Sequence, residues 1–126
     1  MNPSDVLIVG AGSCLGGMAR YLLSMAVHTR AGGLFPWGTF AVNLAGCLVL
    51  GFLYGMLDRG FQLSAPMKLF LTVGFCGGFT TFSTFVNENY LLFTHPAPAI
   101  AMIYAAATFV AGLFLLYAGY LAARLF

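Results

Sequence analysis

The sequence predicts an all-α integral membrane protein built from four transmembrane helices. Three observations carry that prediction. Only 6% of the 126 residues are charged and 61% are hydrophobic, against roughly 25% charged in an ordinary soluble domain. Mean hydropathy is +0.95, and 5 Lys+Arg with 3 Asp+Glu cannot cover the large relative surface of so small a soluble domain. The charges, Asp5, Arg20, Arg30, Asp58, Arg59, Lys68, Glu88 and Arg124, leave uncharged runs at 31–57, 69–87 and 89–123. Soluble enzymes are excluded, and a formal net charge of +2 supplies no basic stripe for nucleic acid.

A hydrocarbon core of about 30 Å takes about 20 mostly apolar residues per helix. Taken in order, the runs mark spans at 5–28, 37–57, 67–92 and 98–124 of a single domain, 1–126. The joints are His28-Thr29-Arg30-Ala31-Gly32-Gly33, Asp58-Arg59-Gly60 and Thr94-His95-Pro96-Ala97-Pro98, rich in residues that interrupt helices. Nothing is left over for an extramembrane domain, so the chemistry is expected inside the bilayer. The first span opens at Met1-Asn2-Pro3-Ser4-Asp5, a helix start with Ser4 or Asp5 as its cap. It lacks the positive n-region of a secretory signal and runs on through Arg20 into Tyr21-Leu22-Leu23. Arg20 shares a face with Ser13, Gly16, Gly17 and Ser24; it either snorkels to an interface or draws anions to a pore mouth.

In the second span Thr39 and Asn43 lie four apart on one face, and the Asn43 amide, set in Val42-Asn43-Leu44-Ala45-Gly46, needs a polar partner. Two readings stand: a bond to a neighbouring helix, or a donor to a ligand. The pairs Gly12/Gly16, Gly51/Gly55 and Gly74/Gly78 are also four apart, a spacing that lets helix backbones approach closely in lipid.

The third span holds the least ordinary stretch, Gly74-Phe75-Cys76-Gly77-Gly78-Phe79-Thr80-Thr81-Phe82-Ser83-Thr84-Phe85. Adjacent glycines followed by hydroxyl residues weaken a helix at its middle, and a break in mid-membrane is expected. Irregular backbone survives there only inside protein or beside a polar site. Its freed carbonyls suit a dehydrated cation and its N–H groups an anion. Past the break, Thr81, Thr84 and Glu88 form a polar stripe, while Phe79, Phe82 and Phe85 recur every three residues. Phe edges carry positive partial charge, so the aromatic stripe either packs or lines an anion path. In the fourth span Tyr104, Thr108 and Gly112 fall four apart. Thr108 either bonds back to its own helix or faces the interior as a donor.

Cys14, Cys47 and Cys76 are isolated in apolar runs and read as small buried hydrophobes. Four helices enclose little, so transport favours an oligomer. Arg59, Lys68 and Arg124 fall on one side of the membrane and Arg30, with or without Arg20, on the other. That is a weak positive-inside bias, compatible with one orientation or with insertion both ways and an antiparallel pair. The interior groups are mostly neutral, which suits passive passage of a small ion better than proton-coupled transport.

The segments from Gly12 to Arg20-Tyr21, Trp37-Gly38-Thr39-Phe40-Ala41-Val42-Asn43-Leu44-Ala45-Gly46 and, above all, Gly74 to Phe85 resemble the Fluc (CrcB) family of fluoride channels. Length and four-span layout match as well. The resemblance implies an antiparallel, dual-topology homodimer with two pores that exports cytoplasmic fluoride passively across a bacterial inner membrane. It implies a broken third helix and a structural Na⁺ at the dimer interface, held by backbone carbonyls of Gly77 and Thr80 from each subunit. The family's Phe box falls on Phe82 and Phe85, its pore asparagine on Asn43, and its hydroxyl track on Ser83 and Thr84, with Thr39 and Glu88 nearby. Tyr104 and Thr108 match pore-side positions, and Arg20 matches the vestibule arginine. One departure is Gly112, where some members carry a hydroxyl residue.

Two rival readings share this size and hydrophobicity. A small dual-topology, proton-coupled multidrug exporter has similar size but needs a carboxylate in its first helix, and residues 6–28 contain none. A subunit that only packs in a larger complex leaves the Gly-Gly and hydroxyl stretch unexplained. An intramembrane enzyme is disfavoured, because His28 and His95 fall in joints and no nucleophile–base or metal-ligand cluster is apparent.

Overall fold

The computed structural model describes residues 2–95 and 97–126, so Pro96 of the third joint lies outside the described residues. Among them there is no strand. Helix α1 is Pro3–Ala31, α2 is Trp37–Asp58 and α6 is Pro98–Leu125. Between them the third span runs through α3 (Ala65–Leu69), a π-helical segment (Phe70–Cys76), α4 (Gly77–Phe79) and α5 (Ser83–Thr94). Pro3–Ala31, Trp37–Asp58, Ala65–Thr94 and Pro98–Leu125 are each long and apolar enough to cross a bilayer, which makes this a four-span, multi-pass membrane protein.

Local chemistry sets the ends. Helix α1 is capped by Asn2, whose Oδ1 accepts the Ser4 N–H at 3.1 Å, and not by Ser4 or Asp5. Pro3 supplies the pre-set φ of a first helical residue and lacks an N–H, which moves the cap one position upstream of it. The first joint turns on Gly32 and Gly33, at φ 62° and 78°, backbone that favours glycine. Ser64 caps α3 through Met67 N–H, and Pro98 opens α6.

The helices associate through glycines. A Cβ on Gly51, Gly55 or Gly119 would run into backbone across the α2–α6 contact, against Leu116, Tyr120 and Leu48 respectively. On the other side α1 packs on the third span: a Cβ on Gly12 would stand 2.9 Å from the Gly74 Cα, and one on Gly78 would stand 2.6 Å from the Ser13 carbonyl oxygen. Much of the remaining apolar surface is open, with Phe109 70% and Phe114 74% exposed on α6. In water that would be untenable; facing lipid or another chain it is ordinary.

Candidate functional site

The chain leaves helical geometry midway along its third span, at residues 80–82. Thr80 takes extended backbone, φ −88° and ψ 159°, and α5 begins only at Ser83. The two glycines are not where it opens. Gly77 and Gly78 stay helical; Gly78 is packed against Ser13, whereas Gly77 faces open space.

Asn43 holds the interruption. Its Nδ2 donates to the Thr81 carbonyl at 3.0 Å and its Oδ1 accepts the Thr81 N–H at 2.8 Å. The side-chain amide thus replaces the helical partners Thr81 would otherwise take. The Thr80 N–H still reaches the Cys76 carbonyl at 3.1 Å, and its hydroxyl reaches the same oxygen at 3.0 Å. The Thr81 hydroxyl accepts the Thr84 N–H at 3.4 Å and donates to the Thr84 hydroxyl at 3.2 Å, closing the start of α5. Arg20 Nε donates to the Gly78 carbonyl at 3.1 Å, so this cation settles on the last turn of α4, where helix carbonyls lack partners. Among the described residues, no backbone N–H donates to the carbonyls of Gly77 or Thr80. The Thr81 N–H that would serve Gly77 is the one Asn43 has taken.

Beside the interruption runs a groove of about 490 Å³. Asn43, Gly77, Thr80, Phe82, Phe85 and Thr108 are among its walls. The Thr108 hydroxyl is buried and has no hydrogen-bond partner among the described residues, so it is not bonded back to its own helix. Gly112 is one turn further on, with Cys47 Sγ 3.4 Å from the place of a Cβ. Phe82 is 77% exposed; its ring lies 6.1 Å from that of Phe85, tilted by 37°. Phe79 does not share their stripe. It is buried and stacks on Phe75 at 5.8 Å, because the turn at 80–82 resets the helical phase between Phe79 and Phe82.

The other expected residues fall elsewhere. Ser83 and Thr84 stand exposed at the start of α5, outside the groove walls. Tyr104 is fully buried and donates its hydroxyl to Glu88 Oε1 at 3.2 Å. Thr39, also buried, borders both groups, and His28 lies near enough to act on the carboxylate. This makes a second polar cluster behind the groove. Phe85 links the two, its ring edge-on to Tyr104 at 5.0 Å.

Several participants went unmarked in the sequence. Cys47, Thr72 and Cys76 join the groove wall. Asn89 is buried on α5, giving Nδ2–H to the Phe85 carbonyl at 2.9 Å and leaving Oδ1 without a partner among the described residues; a second amide close to Glu88 was the available signal. Among the described residues no group of three or more His, Cys, Asp or Glu side chains gathers to hold a metal.

Comparison with known proteins identifies the family. The family model for CrcB-like proteins, Camphor Resistance (CrcB), matches residues 7–120. A protein of Bacteroides fragilis named fluoride-specific ion channel FluC is 42% identical over 118 residues, covering 91% of this chain and 92% of that one. Proteins of the same name from Chlorobium luteolum (42% over 123 residues, 98% and 95% covered) and Chlorobaculum tepidum (43% over 125 residues, 99% and 98% covered) align nearly end to end. With a family match across all four spans and relatives of this identity over almost its whole length, the chain belongs to the CrcB-like family.

Proposed function

We propose that this protein is a fluoride-selective ion channel of the bacterial inner membrane, through which cytoplasmic fluoride leaves passively, with two pores in an antiparallel homodimer. The observation that carries the reading is the interruption at 80–82, gripped by Asn43, opening onto a groove lined in part by Thr108, whose hydroxyl has no partner among the described residues. The names of the aligned relatives support fluoride as the ion.

Fluoride holds its water tightly, so a narrow path has to replace those hydrogen bonds with donors of its own. Thr108 has a free O–H, Asn43 keeps one N–H beyond the one given to Thr81, and Phe82 and Phe85 present positive ring edges. Ser83 and Thr84 add hydroxyls at the start of α5. None of these carries fixed charge, which keeps the anion from being held too firmly to leave. Arg20 draws anions toward the vestibule while its Nε stays on the Gly78 carbonyl. Thr39, Tyr104 and Glu88 form the pore-side support behind Phe85, with the carboxylate engaged by the Tyr104 hydroxyl.

The carbonyls of Gly77 and Thr80, one pair from each subunit, fit a structural Na⁺ at the interface, because backbone oxygens suit such a cation and these two receive no N–H among the described residues. Bound there, the ion supplies positive charge near the anion path and ties two chains together.

The test is fluoride efflux from liposomes holding the purified protein, followed with a fluoride electrode. A K⁺ ionophore balances charge, and chloride efflux and Phe82→Ile run in parallel. Fast fluoride release that needs the ionophore, without chloride release and lost in Phe82→Ile, is the expected result. No release from folded dimer overturns the channel, and drug–proton exchange centred on Glu88 becomes the assay to run.

A further inference from the structure

A second cavity, of about 330 Å³, lies where α2 ends, lined by Met56, Arg59, Gly60, Phe61 and Phe126. Gly60, at φ 97°, turns the chain so that the Phe61 N–H bonds the Met56 carbonyl at 3.0 Å, which sets the Phe61 ring beside Arg59. Phe126 closes the other side and meets Phe52 edge-on at 6.5 Å. The walls are apolar and the one charged side chain is a guanidinium.

That guanidinium is fixed, and among the described residues one hydrogen bond engages it. Arg59 Nη1 donates to the Ala123 carbonyl at 3.2 Å, its one hydrogen-bond partner among the described residues, which leaves most of its five N–H donors free. The adjacent carboxylate is occupied elsewhere: Asp58 Oδ2 accepts the Tyr120 hydroxyl at 2.6 Å, and Tyr120 in turn accepts from Arg124 Nη1 at 3.3 Å. Helix α2 stops at Asp58 and α6 at Leu125, both apolar spans, so the cavity stands at the level where hydrocarbon gives way to headgroups.

A cation over apolar walls at that depth matches one chemistry, an amphiphilic anion. We infer that this cavity seats the phosphate of an anionic phospholipid headgroup on Arg59, with the glycerol and upper acyl carbons against Met56, Phe61 and Phe126. An inorganic anion would gain nothing from those walls, and a zwitterionic headgroup brings no net charge for Arg59 to hold. A basic pocket at the end of membrane helices is the setting in which such headgroups are recognised.

The experiment is native mass spectrometry of the intact protein in detergent, titrated with phosphatidylglycerol, phosphatidylcholine or inorganic phosphate. Phosphatidylglycerol adducts are expected to persist where phosphatidylcholine adducts dissociate. Arg59→Gln should weaken them about fivefold, the scale of one basic residue at a membrane surface. Arg59→Lys keeps the charge without the guanidinium bond to Ala123 and should retain most of the preference, which covers failure of the glutamine variant to fold. Arg124→Gln removes a neighbouring cation that does not line the cavity and should change little. Equal retention of the two lipids, an equal loss in Arg124→Gln, or displacement of the lipid by inorganic phosphate each overturns the assignment. Conduction is not the readout, so the result stands apart from the channel reading.

Discussion

At the scale of single residues, Asn43 and Thr108 separate two ways in which a polar group lives inside a membrane. Asn43 satisfies both backbone groups of Thr81; the Thr108 hydroxyl finds no partner among the described residues. Removing Asn43 strands a donor and an acceptor, each costing roughly 1–3 kcal/mol when buried. Asn43→Ala is therefore expected to lower the melting temperature in detergent by several degrees and to lose fluoride efflux. An unchanged melting temperature would mean the amide does not hold the interruption. Thr108→Val keeps the shape and deletes only an unpaired hydroxyl, so it should leave stability unchanged or slightly raised while slowing fluoride efflux at least tenfold if the hydroxyl serves the ion. Normal efflux in that variant would remove Thr108 from the path.

These two residues also mark how much was legible beforehand. That Asn43 needs a partner follows from an amide in an apolar run. Which partner it finds does not follow, because Thr81 lies on another span and offers backbone, which has no signature in sequence. Arg20 is similar: its cost in lipid was readable, its rest on the Gly78 carbonyl was not. Glu88 is half-buried with the Tyr104 hydroxyl on its carboxylate, a pairing between two spans that spacing within one span cannot mark.

At the scale of elements, hydropathy made the four spans and their approximate ends readable, since a 20-residue apolar run has few alternatives. The phase within the third span was not readable. A stripe of Phe79, Phe82 and Phe85 presumes one continuous helix, and the turn at 80–82 sends Phe79 to one neighbour and Phe82 with Phe85 to another. The π-helical segment at Phe70–Cys76 had no signal either, because it answers to packing on α1 more than to local propensity. The adjacent glycines now give a paired test. Gly78→Ala places a methyl 2.6 Å from the Ser13 carbonyl oxygen and is expected to cost about 1–3 kcal/mol by overpacking. Gly77→Ala meets nothing within 4 Å, and in the single chain it should be neutral or stabilising by up to about 1 kcal/mol through helix propensity. Thermal melts of the two variants in detergent compare them directly. A loss of dimer in Gly77→Ala without loss of helicity, read by circular dichroism and size-exclusion chromatography, would locate its crowding at a partner chain. Equal melting of the two variants would contradict the α1 contact.

At the scale of the whole molecule, the groove is open along its side, and Phe82 at its margin is 77% exposed. A polar path bordered by lipid on one flank would leave its donors facing hydrocarbon, an arrangement the cost of unpaired polar groups opposes. In the proposed dimer a second chain would cover the groove, and the carbonyls of Gly77 and Thr80 would gain the rest of a cation's ligand shell by the same step. Orientation then matters, because two chains inserted the same way cannot place their third spans across an axis lying in the membrane plane. The charges do little to forbid insertion both ways: Arg59, Lys68 and Arg124 oppose Arg30 alone at the ends, since Arg20 is held within the span by Gly78. Leu34, exposed in the first joint, is the place to read orientation. With the native cysteines replaced, Leu34→Cys is expected to react with a membrane-impermeant thiol reagent to about half its total in sealed right-side-out vesicles, and fully once they are permeabilised. Reaction that is complete or absent before permeabilisation would fix one orientation and exclude the antiparallel pair, whatever the efflux assay shows.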